Sequence, residues 1–178
     1  MAMSQQERTQ ISPVVEQVLP GLEPEPLAQV RELLLEYGQF VLAHSQSAHF
    51  CYGTLEKEAA ELPDSYARQG GGCLCAWIES RPVAFVAWRA APGNLAACAW
   101  EMKRLWVRPE ARGTGLGRRL AQAVVERARE AGKQAVYLDT IPDAMPEAVK
   151  LYRAMGFAEC EPYAGVAAKG VMYMIYRF

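Results

Sequence analysis

Residues 105 to 120 read LWVRPEARGTGLGRRL, and no other stretch narrows the choice of fold as much. Leu105, Trp106 and Val107 suit a strand, Pro109 sits in a turn, and glycines at 113, 115 and 117 punctuate a loop that runs straight into a helix. That helix carries Leu116, Leu120, Val124 and Ala128 on one face and stops at Gly132. A helix start leaves several backbone N–H groups unpaired beside the positive end of the helix dipole, so it can hold an anion. Glycines let the backbone approach a phosphate closely. Arg112, Arg118 and Arg119 add positive charge at the same point, a combination that suits a pyrophosphate. A P-loop would need Gly-Lys-Ser/Thr, which is absent, and a dinucleotide fingerprint would need a glycine where Leu120 stands. A tight strand-to-helix turn without a ligand is the bland alternative.

Around this segment the hydrophobic period changes along the chain. Gln10 to Gln17 reads as a short strand, and Pro20 to Pro26 as a linker with three prolines and a glycine. Leu27, Val30, Leu34, Tyr37 and Val41 then recur at helical spacing up to His44. Thr54 to Leu62 predicts a second helix, N-capped by Thr54 and stopped by Pro63. After Gly70-Gly71-Gly72 come strands at Cys73 to Glu79, Pro82 to Ala90 and about Ala97 to Val107, an antiparallel meander. Gly115 to Ala131 is a helix, Ala135 to Thr140 a buried strand, Pro146 to Met155 a helix and Val171 to Phe178 a closing strand. The pattern predicts an α/β (α+β) fold: a mixed, mostly antiparallel central sheet of six to seven strands with helices on both faces.

A length of 178 residues, 51% of them hydrophobic and 22% charged, fits one globular domain with a proper core. The longest apolar stretch, Val83 to Trp88, is far short of a membrane span, and Met1 to Gln10 lacks the apolar stretch of a secretory signal. The expected compartment is cytoplasmic, with no membrane partner. Five cysteines, Cys51, Cys73, Cys75, Cys98 and Cys160, are an odd number and read as reduced thiols. Neither they nor His44 and His49 have metal-ligand spacing, so no metal is expected. Net charge is −1, yet Lys103 to Arg129 holds eight basic residues against Glu110 and Glu126. Such a concentration suits a compact polyanion rather than nucleic acid, although a solvated helix face explains the charge alone equally well.

Arg112-x-x-Gly115-x-Gly117, preceded by Lys103-Arg104-Leu105-Trp106-Val107 and followed by Ala148 to Phe157 (AVKLYRAMGF), resembles the GNAT family of acetyl-CoA-dependent N-acetyltransferases. The resemblance is close from about Leu74 to Phe178. It implies a GNAT-like fold and one acyltransferase domain over residues 1–178: N-terminal strand and linker at 1–26, acceptor-side helices at 27–69, sheet and acetyl-CoA-binding core at 73–178. It further implies acetyl-CoA as cosubstrate, with the pyrophosphate cradled by Arg112, Gly113, Thr114, Gly115, Leu116, Gly117 and Arg118. The pantetheine arm would pair with Leu105, Trp106 and Val107, and a backbone N–H near Leu105 would stabilise the oxyanion. Tyr152 matches the family acid that protonates the departing thiolate, with core packing as its other reading. The family often places its base where Glu101 stands; Asp139 is the second candidate, and a surface or ion-paired role for Glu101 remains open. One departure is Met145, where many members carry an asparagine that contacts the pantetheine; Thr140 or backbone would replace it.

The acceptor is expected to be a small-molecule or peptide amine. Glu56, Glu58, Glu61 and Asp64 would give it an acidic rim, or simply a solvated helix face, and Tyr163 and Tyr173 would line the site or pack in the core. A regulatory module that binds acyl-CoA without turnover is the competing function. The closing strand, Val171 to Tyr176, is apolar on both faces; read as an edge strand it would be covered or paired, which favours a homodimer formed near it.

Overall fold

Alternating large apolar residues on Gly72–Ile78 (β2), Arg81–Ala90 (β3) and Ala99–Val107 (β4) bury both faces of these strands, and they form the antiparallel meander that their pattern predicts. The computed structural model describes residues 13–18, 22–45, 54–163, 165 and 167–178. Val14–Gln17 (β1) pairs with β2; residues 10–12 of the predicted strand, and with them His49 and Cys51, lie outside the described residues. Ala135–Thr140 (β5) runs parallel to β4, and Met172–Arg177 (β7) pairs antiparallel with both β5 and the two-residue β6, Ala158–Glu159. The result is a seven-stranded mixed sheet in the order β1-β2-β3-β4-β5-β7-β6. β7 therefore lies inside the sheet, which explains its apolar faces without a second copy of the chain.

Among the described residues, five α-helices cover the sheet. Pro24–His44 (α1), Leu55–Ala60 (α2) and Asp64–Ala67 (α3) occupy one face, where Val30, Leu33 and Leu34 pack on Cys73, Cys75, Phe85 and Trp106. On the other face lies Leu116–Glu130 (α4), whose Leu116, Leu120, Val124 and Ala128 are all buried, followed by Pro146–Met155 (α5). α1 begins three residues before the expected Leu27, because Pro24 and Pro26 fall in the first turn, where a missing N–H costs no helical bond. Thr54 makes no capping bond; its hydroxyl donates to the Glu58 carboxylate at 3.0 Å. None of the described helices is long and apolar enough to cross a membrane.

Two features of the sheet position the site. β4 and β5 pair only at Ala99–Ala135, Trp100–Val136 and Glu101–Tyr137, and beyond these they part, opening a gap between their C-terminal halves. In the same part of β4 the register to β3 slips between Phe85 and Ala87, and Arg104 has φ +61°. An extra residue in one strand with a left-handed backbone is a β-bulge.

Candidate functional site

The gap between β4 and β5 leads into a cleft of about 590 Å³. One wall is the end of β4, at Leu105, Trp106 and Val107; the floor is the glycine loop and the start of α4; and the opposite wall is α5, at Pro146, Ala148 and Leu151. Every residue expected to hold a cofactor lines it except Thr114, whose hydroxyl donates to the Ala111 carbonyl at 2.7 Å and so ties the loop. Gly113 and Gly115 take φ +76° and +83°, a conformation that a side chain resists, and a Cβ at either would meet nothing within 4 Å. These glycines therefore serve backbone direction, leaving open space over the loop. Gly115 is the N-cap of α4 and no side chain caps the helix, so its first-turn amides have no helical partner. An open, glycine-floored helix start of this kind fits a phosphate group.

Phe40, on α1, also borders the cleft and was not legible as a site residue, since nothing local marks it. It packs 4.9 Å from the Trp106 ring, and the Arg112 guanidinium lies 4.8 Å from Trp106 and 5.4 Å from Phe40. Arg112 Nε donates to the Val107 carbonyl at 3.1 Å, so this arginine pins the loop to the strand end as well as adding charge. The Trp106 indole N–H is buried with no partner among the described residues. His44 packs rather than ligates: it stacks on Phe40 at 4.1 Å and hydrogen-bonds the Phe40 carbonyl at 2.7 Å.

At the inner end of the gap is a second, smaller and narrower cavity of about 20 Å³, lined by Tyr37, Lys103, Arg104, Asp139, Thr140 and Tyr152 among others. Leu105 and Met145 border both cavities. Met145 packs with Val41, Ile141 and Ala144, so an apolar side chain fills the place where the resemblance expects an asparagine. Tyr152 is 6% exposed, with Phe157 5.7 Å away, and burial holds its phenol proton well above the usual range. It is therefore both a packing residue and a protonated group facing the small cavity.

The two candidate bases differ. Glu101 is 2% exposed, lines neither cavity, and has both oxygens engaged: Arg89 Nε at 2.6 Å on one, Lys103 Nζ at 3.4 Å and the Tyr163 hydroxyl at 2.9 Å on the other. Arg89 carried no signal in sequence, because its pairing is fixed only by the β3–β4 register Arg89–Glu101. Asp139 lines the small cavity and uses one oxygen for Lys103 Nζ, at 2.6 Å; its other oxygen makes no hydrogen bond among the described residues. Burial opposes ionisation of Asp139, but the Lys103 ammonium overcomes it and holds the carboxyl below its ordinary range. Lys103 is affected in the same two ways, disfavoured by burial and then raised by Asp139 and Glu101.

The basic segment is partly inward-facing. Lys103 meets Asp139 and Glu101, Arg104 meets Glu58, and Arg108 meets Glu36 at 2.6 Å. Glu58 therefore forms no acidic rim. Tyr163 sits 4.7 Å from Tyr137 and 5.7 Å from Tyr173 in a small aromatic layer over β5 and β7, and the Tyr173 hydroxyl accepts the Ala168 N–H at 3.2 Å. Cys73, Cys75, Cys98 and Cys160 are free thiols, and burial pushes Cys73 up to about 12.

Comparison with known proteins puts these features in context. The model of the acetyltransferase (GNAT) family matches residues 29–157. An uncharacterized N-acetyltransferase of Schizosaccharomyces pombe is 42% identical over 74 residues, a stretch that covers 42% of this chain and 45% of the yeast protein, so less than half of that relative is matched. Among solved structures, an acetyltransferase from Streptococcus agalactiae superposes with a TM-score of 0.71 at 18% identity, covering 93% of this chain and 98% of that one. The PaiA N-acetyltransferase of Thermoplasma acidophilum, in complex with coenzyme A, reaches the same TM-score at 16% identity, with 94% and 99% covered. At such identities the superpositions show a shared fold.

Proposed function

The chain belongs to the acetyltransferase (GNAT) family, and from that premise we propose that it moves an acetyl group from acetyl-CoA to a primary amine of a small molecule or peptide by direct attack. The observation that carries this reading is the meeting of the two cavities: the glycine-floored cleft runs to Leu105 and Met145, and the pocket holding Tyr152 and Asp139 begins there. The first-turn amides of α4 and the arginines at 112 and 118 bind the pyrophosphate. Trp106 and Val107 lie along the pantetheine, and the Leu105 N–H polarises the thioester carbonyl as a preorganised donor aimed where charge develops.

Asp139, rather than Glu101, is the proton acceptor in this reading. It lines the cavity and has an oxygen to offer, whereas Glu101 holds Arg89 and Lys103 in place. In the transfer the amine nitrogen bonds the acetyl carbon and the carbon–sulfur bond breaks. The thiolate takes the Tyr152 proton, and the proton shed by nitrogen passes to Asp139, directly or through a water; the small cavity, at about 20 Å³, exceeds the roughly 10–15 Å³ that one water needs. The test is calorimetric titration with acetyl-CoA, followed by thiol release with polyamines, amino acids, aminoglycosides and short peptides. Binding with release on some amine is the expected result. Binding with no release across the panel would favour the regulatory acyl-CoA-binding module, and no binding would overturn both.

A further inference from the structure

We propose that Glu58 and Tyr66, residues of α2 and α3, are positioning residues that act through Arg104 to hold the bulge in β4, and so keep the Leu105 N–H turned into the gap where the thioester carbonyl would lie. This rests on the reading of Leu105 as the carbonyl's donor. The argument begins with strand alternation. Ala91 N–H donates to the Ala99 carbonyl at 3.0 Å, so on that side of the slip Ala99, Glu101 and Lys103 are the residues of β4 that turn their hydrogen-bonding groups to β3. Continued without a break, the alternation would give the Leu105 N–H to β3 as well. Beyond the slip, however, Arg108 N–H donates to the Val83 carbonyl at 2.9 Å, which puts Arg108 and Trp106 toward β3 and leaves Leu105 and Val107 facing the gap that β5 has vacated. The extra residue therefore reverses the direction of the Leu105 amide.

That reversal depends on Arg104 staying at φ +61°, a left-handed conformation that costs a non-glycine residue about 1–2 kcal/mol. Glycine is the ordinary solution at such a position. The chain uses an arginine, and its side chain is held. Arg104 Nε and Nη2 make a two-pronged pair with the Glu58 carboxylate at 3.0 and 2.9 Å, with the arginine side chain 5% exposed. Glu58 is itself fixed by the Tyr66 hydroxyl at 2.7 Å and the Thr54 hydroxyl at 3.0 Å, and Tyr66 is 2% exposed. The Arg104 guanidinium also lies 5.9 Å from the Tyr37 ring. Planar two-pronged pairing fixes orientation as well as distance. The helices that cover one sheet face thus reach through Arg104 to set a backbone angle in the strand beneath them.

The experiment uses the intact chain labelled with 15N-leucine, the Leu105 amide being identified by substitution. Its shift is compared between coenzyme A and the stable acetyl-CoA analogue in which methylene replaces the thioester sulfur and the carbonyl is kept. The wild-type Leu105 amide moves when the carbonyl is present; if it does not, the donor reading falls and the proposal falls with it. Glu58→Gln, and the milder Tyr66→Phe, shrink that movement while leaving the affinity for coenzyme A within about twofold. Both lower kcat, Glu58→Gln by about tenfold, short of the ~100- to 1,000-fold cost of removing an oxyanion donor outright. Glycine at 104 needs no clamp, so in an Arg104→Gly background Glu58→Gln has no further effect on kcat or on the amide shift. A wild-type shift that survives undiminished in both single variants, or a Glu58→Gln loss that persists in the Arg104→Gly background, overturns the proposal.

Discussion

The two cavities at the β4–β5 gap are built in different ways. The larger is made of backbone and of three stretches each continuous in the chain: the strand end at 105–107, the loop and helix start at 111–118, and the residues from 144 to 151 that lead into α5 and form its opening turns, with Phe40 joining them from α1. The smaller is bounded by charged and aromatic side chains from elements far apart in sequence. Lys103 and Asp139, which both line it, are 36 residues apart, and Arg104, which also lines it, is held by Glu58 from 46 residues away. The difference shows how a fold divides labour. On the proposed reading, the cradle for phosphate is encoded by local backbone conformation, while the groups that would handle a proton are oriented by long-range pairing.

Substitutions that touch one cavity and spare the other sharpen this comparison. Tyr152→Phe removes the phenol from the small cavity and keeps the ring packed against Phe157. It should lower kcat by about 100- to 10,000-fold, the usual worth of a general acid, and leave acetyl-CoA affinity within about twofold. Gly115→Val does the converse. A β-branched residue at φ +83° costs about 1–3 kcal/mol and its side chain fills the open space over the helix start, so acetyl-CoA binding weakens by about 10- to 100-fold in calorimetry. Equal losses of affinity in both variants would mean that the cavities work as one site.

The same division accounts for what could be read from the chain. β2 to β5, α4, α5 and the stretch whose residues line the cleft were legible because period, glycine and proline act over a few residues. β6 was not, since two residues carry no period, and α3 was hidden behind Pro63. One of the three partners of Glu101 was legible: Lys103 lies two positions on, but Arg89 and Tyr163 become neighbours only when β3 and the segment before β7 reach β4. Glu58 reads in sequence as one more charge on a short helix, and its engagement with Arg104 depends on where α2 crosses the sheet.

Glu101 tests whether the polar network is scaffold or chemistry. Glu101→Gln leaves Arg89 and Lys103 short of an anion and should lower the stability to urea by about 1–3 kcal/mol, the worth of hydrogen bonds to charged groups. The pH–rate profile of the folded variant should keep the shape of the wild type. Asp139→Asn should instead cut kcat by about 100-fold or more. If Glu101→Gln produces the large kcat loss and Asp139→Asn only the stability loss, the two carboxylates exchange roles.

The smallest effect concerns acid stability, and its sign follows from the inward-facing cations. Burial opposes the charge on Glu58 and on Asp139, but Arg104 and Lys103 respectively overcome it, so both carboxyls lie below their ordinary values of 4.5 and 3.8 in the folded chain. A carboxyl whose folded value is depressed contributes stability that is present above its unfolded value and is lost as the pH falls through the folded one. The urea midpoint should therefore hold steady across neutral pH and drop through the acid range below those values, and Glu58→Gln should flatten part of that drop while lowering the neutral plateau. Gly115→Val, which touches no titrating group, should shift the whole curve down without changing its slope. A Glu58→Gln curve parallel to the wild type would mean that the Arg104 pairing adds nothing to the folded state, and the closed side of the gap would then owe its stability to apolar packing, as the open side does.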